Sequence, residues 1–155
     1  MKGSFDEYGE KELKEWFKNN RYLDKEKFIR LGRWKSRRPV KHYKNNSDDL
    51  VKEITKFSLA TINEEARIKI LFILNGVSWP VASVILHFAF PDKYPIMDFR
   101  VIQSLGWEQP KSYSFDFWQK YCNKIIELSN KLDIPIRTID KALWQYSREN
   151  QNNLK

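Results

Sequence analysis

Apolar residues recur with a helical period along most of the chain, and strand-like alternation is short and scattered. In residues 64–74, for example, Ile68, Leu71 and Phe72 fall on one face of a helix. The pattern predicts an all-α fold, a compact multi-helix domain over residues 1–149 with a frayed polar tail over 150–155. The predicted helices are Glu10 to Asn19, Asp24 to Trp34, Ser47 to Ala60, Glu64 to Leu74, Trp79 to Phe88, Phe99 to Leu105, Phe115 to Leu132 and Ile136 to Glu149.

Two of these helices have clear starting signals. Ser47 precedes Asp48 and Asp49, and Asn63 precedes two glutamates. A side-chain oxygen at such a position accepts a hydrogen bond from a free amide, and acids in the first turn complement the helix dipole.

The most apolar stretch, residues 74–101, is interrupted near its start by the sequence LNGVSWP. Gly76 is suited to end one helix, because glycine adopts positive φ without a Cβ penalty. Ser78 and Pro80 are suited to start the next helix. The sequence therefore predicts two helices joined by a short turn, whose outward amide groups are available to a phosphate. An ordinary αα-hairpin without a ligand is the alternative.

Positive charge is concentrated in one segment. Residues 21–44 hold ten lysines or arginines against two acids, which accounts for the whole net charge of +8. A concentrated basic tract favours a polyphosphate partner, although a solvated basic face has the same composition. Within it, Pro39 predicts an extended loop rather than a helix, with His42 and Tyr43 interleaved among the cations.

Composition excludes several other classes of protein. The chain of 155 residues has 41% hydrophobic residues and one cysteine, Cys122. It lacks an uninterrupted apolar run of membrane-spanning length, and residues 1–15 lack an apolar signal core, so we expect a cytoplasmic protein without membrane association. One cysteine cannot supply the four thiolates of an iron–sulfur cluster, and two histidines make a structural zinc site improbable.

The turn and a downstream acid together resemble the helix-hairpin-helix DNA glycosylase superfamily, which includes endonuclease III and the adenine-mismatch glycosylases. LNGVSWPVA is similar to that family's L-P-G-V-G hairpin, and YPIMDFRV is similar to the context of its essential aspartate. Gly76 and Asp98 are 22 positions apart, the spacing associated with the adenine-mismatch branch. The resemblance covers about residues 68–106.

The resemblance implies that Asp98 is the catalytic carboxylate of a DNA N-glycosylase, stabilising positive charge on the sugar as the base departs. It implies double-stranded DNA as the partner, bound mainly through phosphates. It is compatible with a monovalent cation at the hairpin, with no other cofactor. The predicted DNA-binding residues are Asn75, Gly76, Val77, Ser78, Trp79, Arg33, Lys35, Arg37, Arg38, Lys41 and Lys44.

This sequence departs from the family pattern at two informative positions. Lyase-competent members carry a lysine where this chain has Pro80, so the resemblance implies a monofunctional enzyme without strand cleavage. The second hairpin glycine is Ser78, which would be strained if that position required positive φ.

The alternatives are a non-catalytic helix-hairpin-helix DNA-binding module in which Asp98 is a helix cap, and a helical domain that binds an acidic protein. The sequence leaves open the base recognised, DNA versus RNA, a second catalytic residue and the oligomeric state, with a monomer favoured.

Overall fold

The protein, a computed structural model, is described over residues 7–150, and this part of the chain is entirely helical apart from its turns and loops. The all-α prediction is therefore confirmed. The helices are α1 Glu7–Asn19, α2 Lys25–Lys35, α3 Val40–Lys44, α4 Asp48–Ala60, α5 Glu64–Lys69, α6 Trp79–Ala89, α7 Phe99–Ser104, α8 Phe115–Leu132 and α9 Ile136–Glu149. The tail over 151–155 lies outside the described residues.

Helix starts follow the capping residues. Ser47 Oγ accepts from the amide of Leu50 at 3.1 Å, and Asn63 Oδ1 accepts from the amide of Ala66 at 2.8 Å, as predicted. The predicted helix over 64–74 instead leaves α-helical geometry at Lys69 and continues as a 3₁₀ helix, Ile70–Ile73. Such tighter turns are common at helix ends.

The largest correction concerns residues 40–44. The sequence predicted an extended loop there, but these residues form α3, with Pro39 immediately before the helix. Proline is tolerated at this boundary because an amide at a helix N-terminus has no intrahelical partner. Proline therefore marks the start of this helix rather than the absence of one.

The chain divides by its contacts into two compact units, one ending at Ala89 and the other beginning at Phe90. In the N-terminal unit, α6 is the central element: every residue from Val81 to Ala89 is buried, and α1, α2 and α5 pack on it. This continuous burial explains why residues 81–89 carry almost no charge.

In the C-terminal unit, α9 packs on both α7 and α8. Trp118 and Tyr94 are buried there and stack with their ring centroids 5.7 Å apart. An extended segment, residues 94–98, leads into α7, and four of its five residues are buried.

Candidate nucleic-acid interface and candidate catalytic carboxylate

The turn before α6 has the predicted glycine geometry. Gly76 has φ of +87°, in the region that favours glycine. Asp133 is the one non-glycine residue with positive φ between residues 7 and 150, so Ser78 is not strained in the way considered above. Serine at position 78 is therefore compatible with the backbone of this turn.

The backbone amides of the turn are only partly hydrogen-bonded within residues 7–150. The amide of Val77 donates to the carbonyl of Leu74 at 3.2 Å, and the carbonyl of Ser78 accepts from Ala82 at 2.9 Å. The amides of Gly76, Ser78 and Trp79 have no hydrogen-bond partner among the described residues. Asn75 and Ser78 are exposed, whereas Trp79 is half-buried and packs edge-to-face with Phe72, with the ring centroids 4.8 Å apart.

Tyr43 joins the basic tract to this turn. Its side chain is fully buried between two glycines: a Cβ built on Gly76 would lie 2.7 Å from Tyr43 Cδ1, and one built on Gly32 would lie 2.7 Å from Cε2. Its hydroxyl donates to the carbonyl of Ser36 at 3.1 Å, and burial raises its pKa to about 12. The ring therefore holds α3 against both α2 and the turn.

A buried asparagine makes a second connection between α3 and the turn. Asn46 Oδ1 accepts from the backbone amide of Asn75 at 2.8 Å, and Asn46 Nδ2 donates to the carbonyl of Asn75 at 3.1 Å. The same Nδ2 reaches the carbonyls of His42 and Tyr43 at 3.3 and 3.0 Å. One side chain thus binds both backbone groups of a turn residue and the end of α3.

The predicted cations lie on or between the helices that Tyr43 packs together. Arg33 and Lys35 are in the last turn of α2, Arg37 and Arg38 lie between α2 and α3, and Lys41 and Lys44 are in α3 itself. Arg33, Arg38, Lys41 and Lys44 are exposed, and none forms an ion pair with a carboxylate of residues 7–150. The turn and the tract, distant in sequence, meet through Gly76, Tyr43 and Asn46.

Asp98 belongs to the C-terminal unit. It is the N-cap of α7, and its Oδ1 accepts from the amide of Arg100 at 2.9 Å. The residue is half-buried, between buried Met97 and exposed Phe99. Burial raises the pKa of Tyr113, and the charge of Asp98 adds to this effect.

The backbone two residues before Asp98 is held from two helices. Tyr121 Oη on α8 donates to the carbonyl of Ile96 at 2.7 Å, and Asp140 Oδ2 on α9 accepts from the amide of Ile96 at 3.0 Å. All three residues are fully buried, and burial together with the charge of Asp140 raises the pKa of Tyr121 well above its usual value. These bonds replace the helical partners that an extended buried segment lacks.

The side of α7 next to Asp98 is aromatic and cationic. Phe99 is 55% exposed, and the guanidinium of Arg100 lies 5.3 Å from its ring centre and 5.6 Å from that of Trp144. Gln109 Nε2 donates to the carbonyl of Phe99 at 2.8 Å. Phe99 and Arg100 follow Asp98 directly in the sequence, whereas Gln109 and Trp144 come from distant positions, and sequence reasoning did not predict that they lie here.

Among residues 7–150, no three His, Cys, Asp or Glu side chains come together as ligands for a metal ion, and the buried Cys122 forms no disulfide there. A monovalent cation at the turn stays a prediction. No helix in the described part of the chain is long and apolar enough to cross a membrane.

The residues that sequence reasoning missed are buried polar ones. Asn46, Tyr121 and Asp140 act through partners 25 to 44 positions away, and no local pattern marks them. Tyr43 was noticed only as an aromatic residue among cations, and its close contact with two glycines was not predicted. The comparison with known proteins found no matching family, no matching curated protein and no matching solved structure.

Proposed function

We propose that the N-terminal unit binds the sugar–phosphate backbone of double-stranded DNA through one surface, made of the turn 75–79 and the exposed cations of residues 33–44. The observation that carries this proposal is the contact of Gly76 with Tyr43, which brings the basic helix α3 against the available amides of the turn. Both parts suit the same ligand. Amides at a helix start bind one phosphate oxygen by hydrogen bonds, and lysines and arginines bind the neighbouring phosphates.

The charge distribution supports a polyanion rather than a single anion. The tract contains the whole excess of basic residues, and four of its cations are exposed without a carboxylate partner in the described chain. A surface of this kind gains affinity by releasing the counterions condensed on DNA. Because the turn contributes backbone amides, binding there is independent of base sequence.

The test is duplex binding with two matched charge variants. Lys41→Gln/Lys44→Gln removes two cations of α3, and Lys11→Gln/Lys14→Gln removes two exposed lysines with the same spacing from α1. Fluorescence anisotropy with a labelled 20-base-pair duplex gives the affinity at several salt concentrations. If each α3 lysine contacts one phosphate, the slope of log K against log [salt] falls by about 1.8 for the α3 variant only.

If the two variants lowered duplex affinity and its salt dependence equally, binding would depend on net charge and not on a defined site in α3. No binding of any duplex in low salt would refute the proposal and would favour a helical domain that binds an acidic protein. A double-stranded RNA of the same sequence is the competitor that separates DNA from RNA recognition, since only RNA presents 2′-hydroxyls and A-form grooves.

A second candidate function is removal of a base from DNA, with Asp98 as the catalytic carboxylate. What favours it is the resemblance around residues 68–106 together with the partial exposure of an acid in a buried, rigidly held segment. In this reaction water adds to the sugar C1′ and loses a proton, the glycosidic bond breaks, and the base leaves with the bonding electrons and takes up a proton. A carboxylate stabilises the positive charge that develops on the sugar.

The test of this second function is base release from duplexes that carry uracil, an alkylated purine, oxidised guanine or an adenine mismatch. Each product is cleaved at the abasic site with hot alkali, and wild type is compared with Asp98→Asn. Release by wild type alone would assign the activity and the role of Asp98. Without alkali we expect no strand cleavage, because Pro80 replaces the lysine that would form a Schiff base. Binding without release on all duplexes would indicate a non-catalytic module.

A further inference from the structure

We propose that Asn46 is a positioning residue for phosphate binding: it is buried, and it fixes the turn 75–79 to α3 so that amides and cations face the same stretch of backbone. The inference rests on the proposed DNA-binding function and assigns to it a residue outside the predicted interface. Asn46 is fully buried, so its effect on a ligand is exerted through the two segments that it joins.

The chemistry of the asparagine side chain fits this role. The backbone amide of Asn75 needs an acceptor and its carbonyl needs a donor, and a carboxamide supplies both at one position. The side-chain amide of Asn75 also donates to Asn46 Oδ1, at 3.2 Å. With three hydrogen bonds to Asn46, the orientation of Asn75 is fixed directly before the amide of Gly76.

The other end of the connection is α3, which depends on it. A helix of five residues is too short to be stable alone, and the residue before it makes no side-chain cap. Asn46 Nδ2 donates to the carbonyls of His42 and Tyr43 at the end of α3, which also accept from the backbone amides of Asn45 and Asn46. Loss of the Asn46 side chain would remove the hydrogen bonds that connect the end of α3, which carries Lys41 and Lys44, to the backbone of Asn75.

Tyr43 and Asn46 have different roles: Tyr43 packs α3 against the turn, and Asn46 orients the turn. Tyr43 brings α3 and Gly76 into contact, with His42 Cβ 3.1 Å from the place of a Gly76 Cβ. Apolar contact sets the distance between segments but is non-directional, whereas the paired hydrogen bonds of Asn46 set the angle of the Asn75 peptide groups. The positions of the cations relative to the amides therefore depend on Asn46.

The experiment is a double-mutant cycle on duplex affinity in the full chain. It combines Asn46→Ala with Lys41→Gln/Lys44→Gln, and uses Thr55→Val as a stability control. Thr55 is equally buried in the same unit and bonds the amide of Leu23 at 2.8 Å, away from the turn. Helical content and the unfolding midpoint are measured first, and Asn46→Ser replaces Asn46→Ala if the alanine variant is not folded.

We expect Asn46→Ala to weaken duplex binding on the order of tenfold, which corresponds to about 1.4 kcal/mol. Thr55→Val should stay within about twofold of wild type. In the background without Lys41 and Lys44, Asn46→Ala should have a smaller effect, because the cations that it positions are already absent.

Two results would contradict the inference in different ways. Asn46→Ala and Thr55→Val could weaken duplex binding equally, and the effect of Asn46→Ala could be the same with and without Lys41 and Lys44. Asn46 would then be a structural residue only, and the DNA-binding proposal would stand. Failure of the wild-type protein to bind the duplex would instead refute the proposed function, and this inference with it.

Discussion

Tyr43 occupies the space that a side chain at Gly76 would need. Its Cδ1 lies 2.7 Å from the place of a Gly76 Cβ, closer than any stable carbon contact, and its hydroxyl is held by the carbonyl of Ser36. A positive φ alone would favour glycine at this turn, but the tyrosine makes glycine a packing requirement as well. The same ring excludes a side chain at Gly32.

Three glycine-to-alanine variants separate backbone strain from packing. Gly106 has φ of +73° with open space around it, Gly32 lacks positive φ but meets the tyrosine ring, and Gly76 has both constraints. Strain in this backbone region costs about 1–2 kcal/mol, and overpacking costs about 1–3 kcal/mol. We expect Gly76→Ala to lower the free energy of unfolding most.

Urea unfolding of the three variants at neutral pH gives the comparison. For Gly32→Ala the overpacking cost is offset by about 1 kcal/mol, because alanine has the higher helix propensity. Gly32→Ala should therefore lower the free energy of unfolding less than Gly76→Ala does. If Gly106→Ala and Gly76→Ala cost the same, the close contact with Tyr43 would be relieved by a small shift of the ring and would contribute nothing.

Alkaline pH should destabilise the protein through its buried tyrosines. Burial raises the pKa of Tyr43 to about 12, above its ordinary value near 10, and also raises the pKa of Tyr121. The folded state therefore holds these protons more tightly than the unfolded state. Their stabilising contribution is complete below about pH 10 and is lost as pH rises toward the folded pKa, by at most about 1.4 kcal/mol per pH unit for each tyrosine.

Unfolding midpoints between pH 7 and pH 11.5 test this dependence. Tyr43→Phe should be less stable than wild type at pH 8 by about 1 kcal/mol, because the hydrogen bond to Ser36 is lost. The difference should narrow above pH 10, since the variant lacks this ionisation. Tyr146→Phe, which removes a hydroxyl from a residue that is 52% exposed, is the control and should follow the wild-type curve. A constant difference between Tyr43→Phe and wild type would contradict the assignment.

The buried segment before Asp98 should be sensitive to the two side chains that hold Ile96. Asp140→Ala leaves the buried amide of Ile96 without its acceptor and should cost about 1–3 kcal/mol of unfolding free energy. Tyr121→Phe removes one donor to the carbonyl of Ile96 and should cost about 1 kcal/mol. Tyr113→Phe changes a half-buried phenol of the same unit and should stay close to wild type. Urea unfolding at pH 7 gives the stability of the three variants. If Asp140→Ala and Tyr121→Phe were as stable as Tyr113→Phe, Ile96 would be held by packing alone.

The sequence predicts the helices well because their signals are local. Ser47, Asn63 and Asp98 each mark a helix start within one turn, and the apolar period identifies the buried face. The error at α3 has a physical cause: Pro39 was interpreted as a helix breaker, although the same residue is compatible with a helix that starts after it.

The candidate interface was predicted only in its parts. Gly76 and the cations of residues 33–44 were identified from turn chemistry and charge, but nothing local connects them. Their connection depends on a buried amide, Asn46, paired with a residue 29 positions away, and on a ring between two glycines. Long-range hydrogen bonds and close packing of this kind follow from the tertiary fold and leave no periodic signal.

Asp98 stabilises the protein as a helix cap as well as being the candidate catalyst, and two substitutions separate these roles. Asparagine caps a helix about as well as aspartate, so Asp98→Asn should keep the bond from the Arg100 amide and the stability of wild type. Asp98→Ala should lower the free energy of unfolding by about 1 kcal/mol, because alanine cannot cap the helix.

Because asparagine carries no charge, Asp98→Asn should nevertheless abolish base release while leaving duplex affinity within about twofold. Stability from urea unfolding, affinity from anisotropy and base release from alkali cleavage are compared on the same preparations. Full activity of Asp98→Asn would show that the carboxylate does not take part in the reaction. Loss of duplex binding together with activity would show that Asp98 has a structural role only.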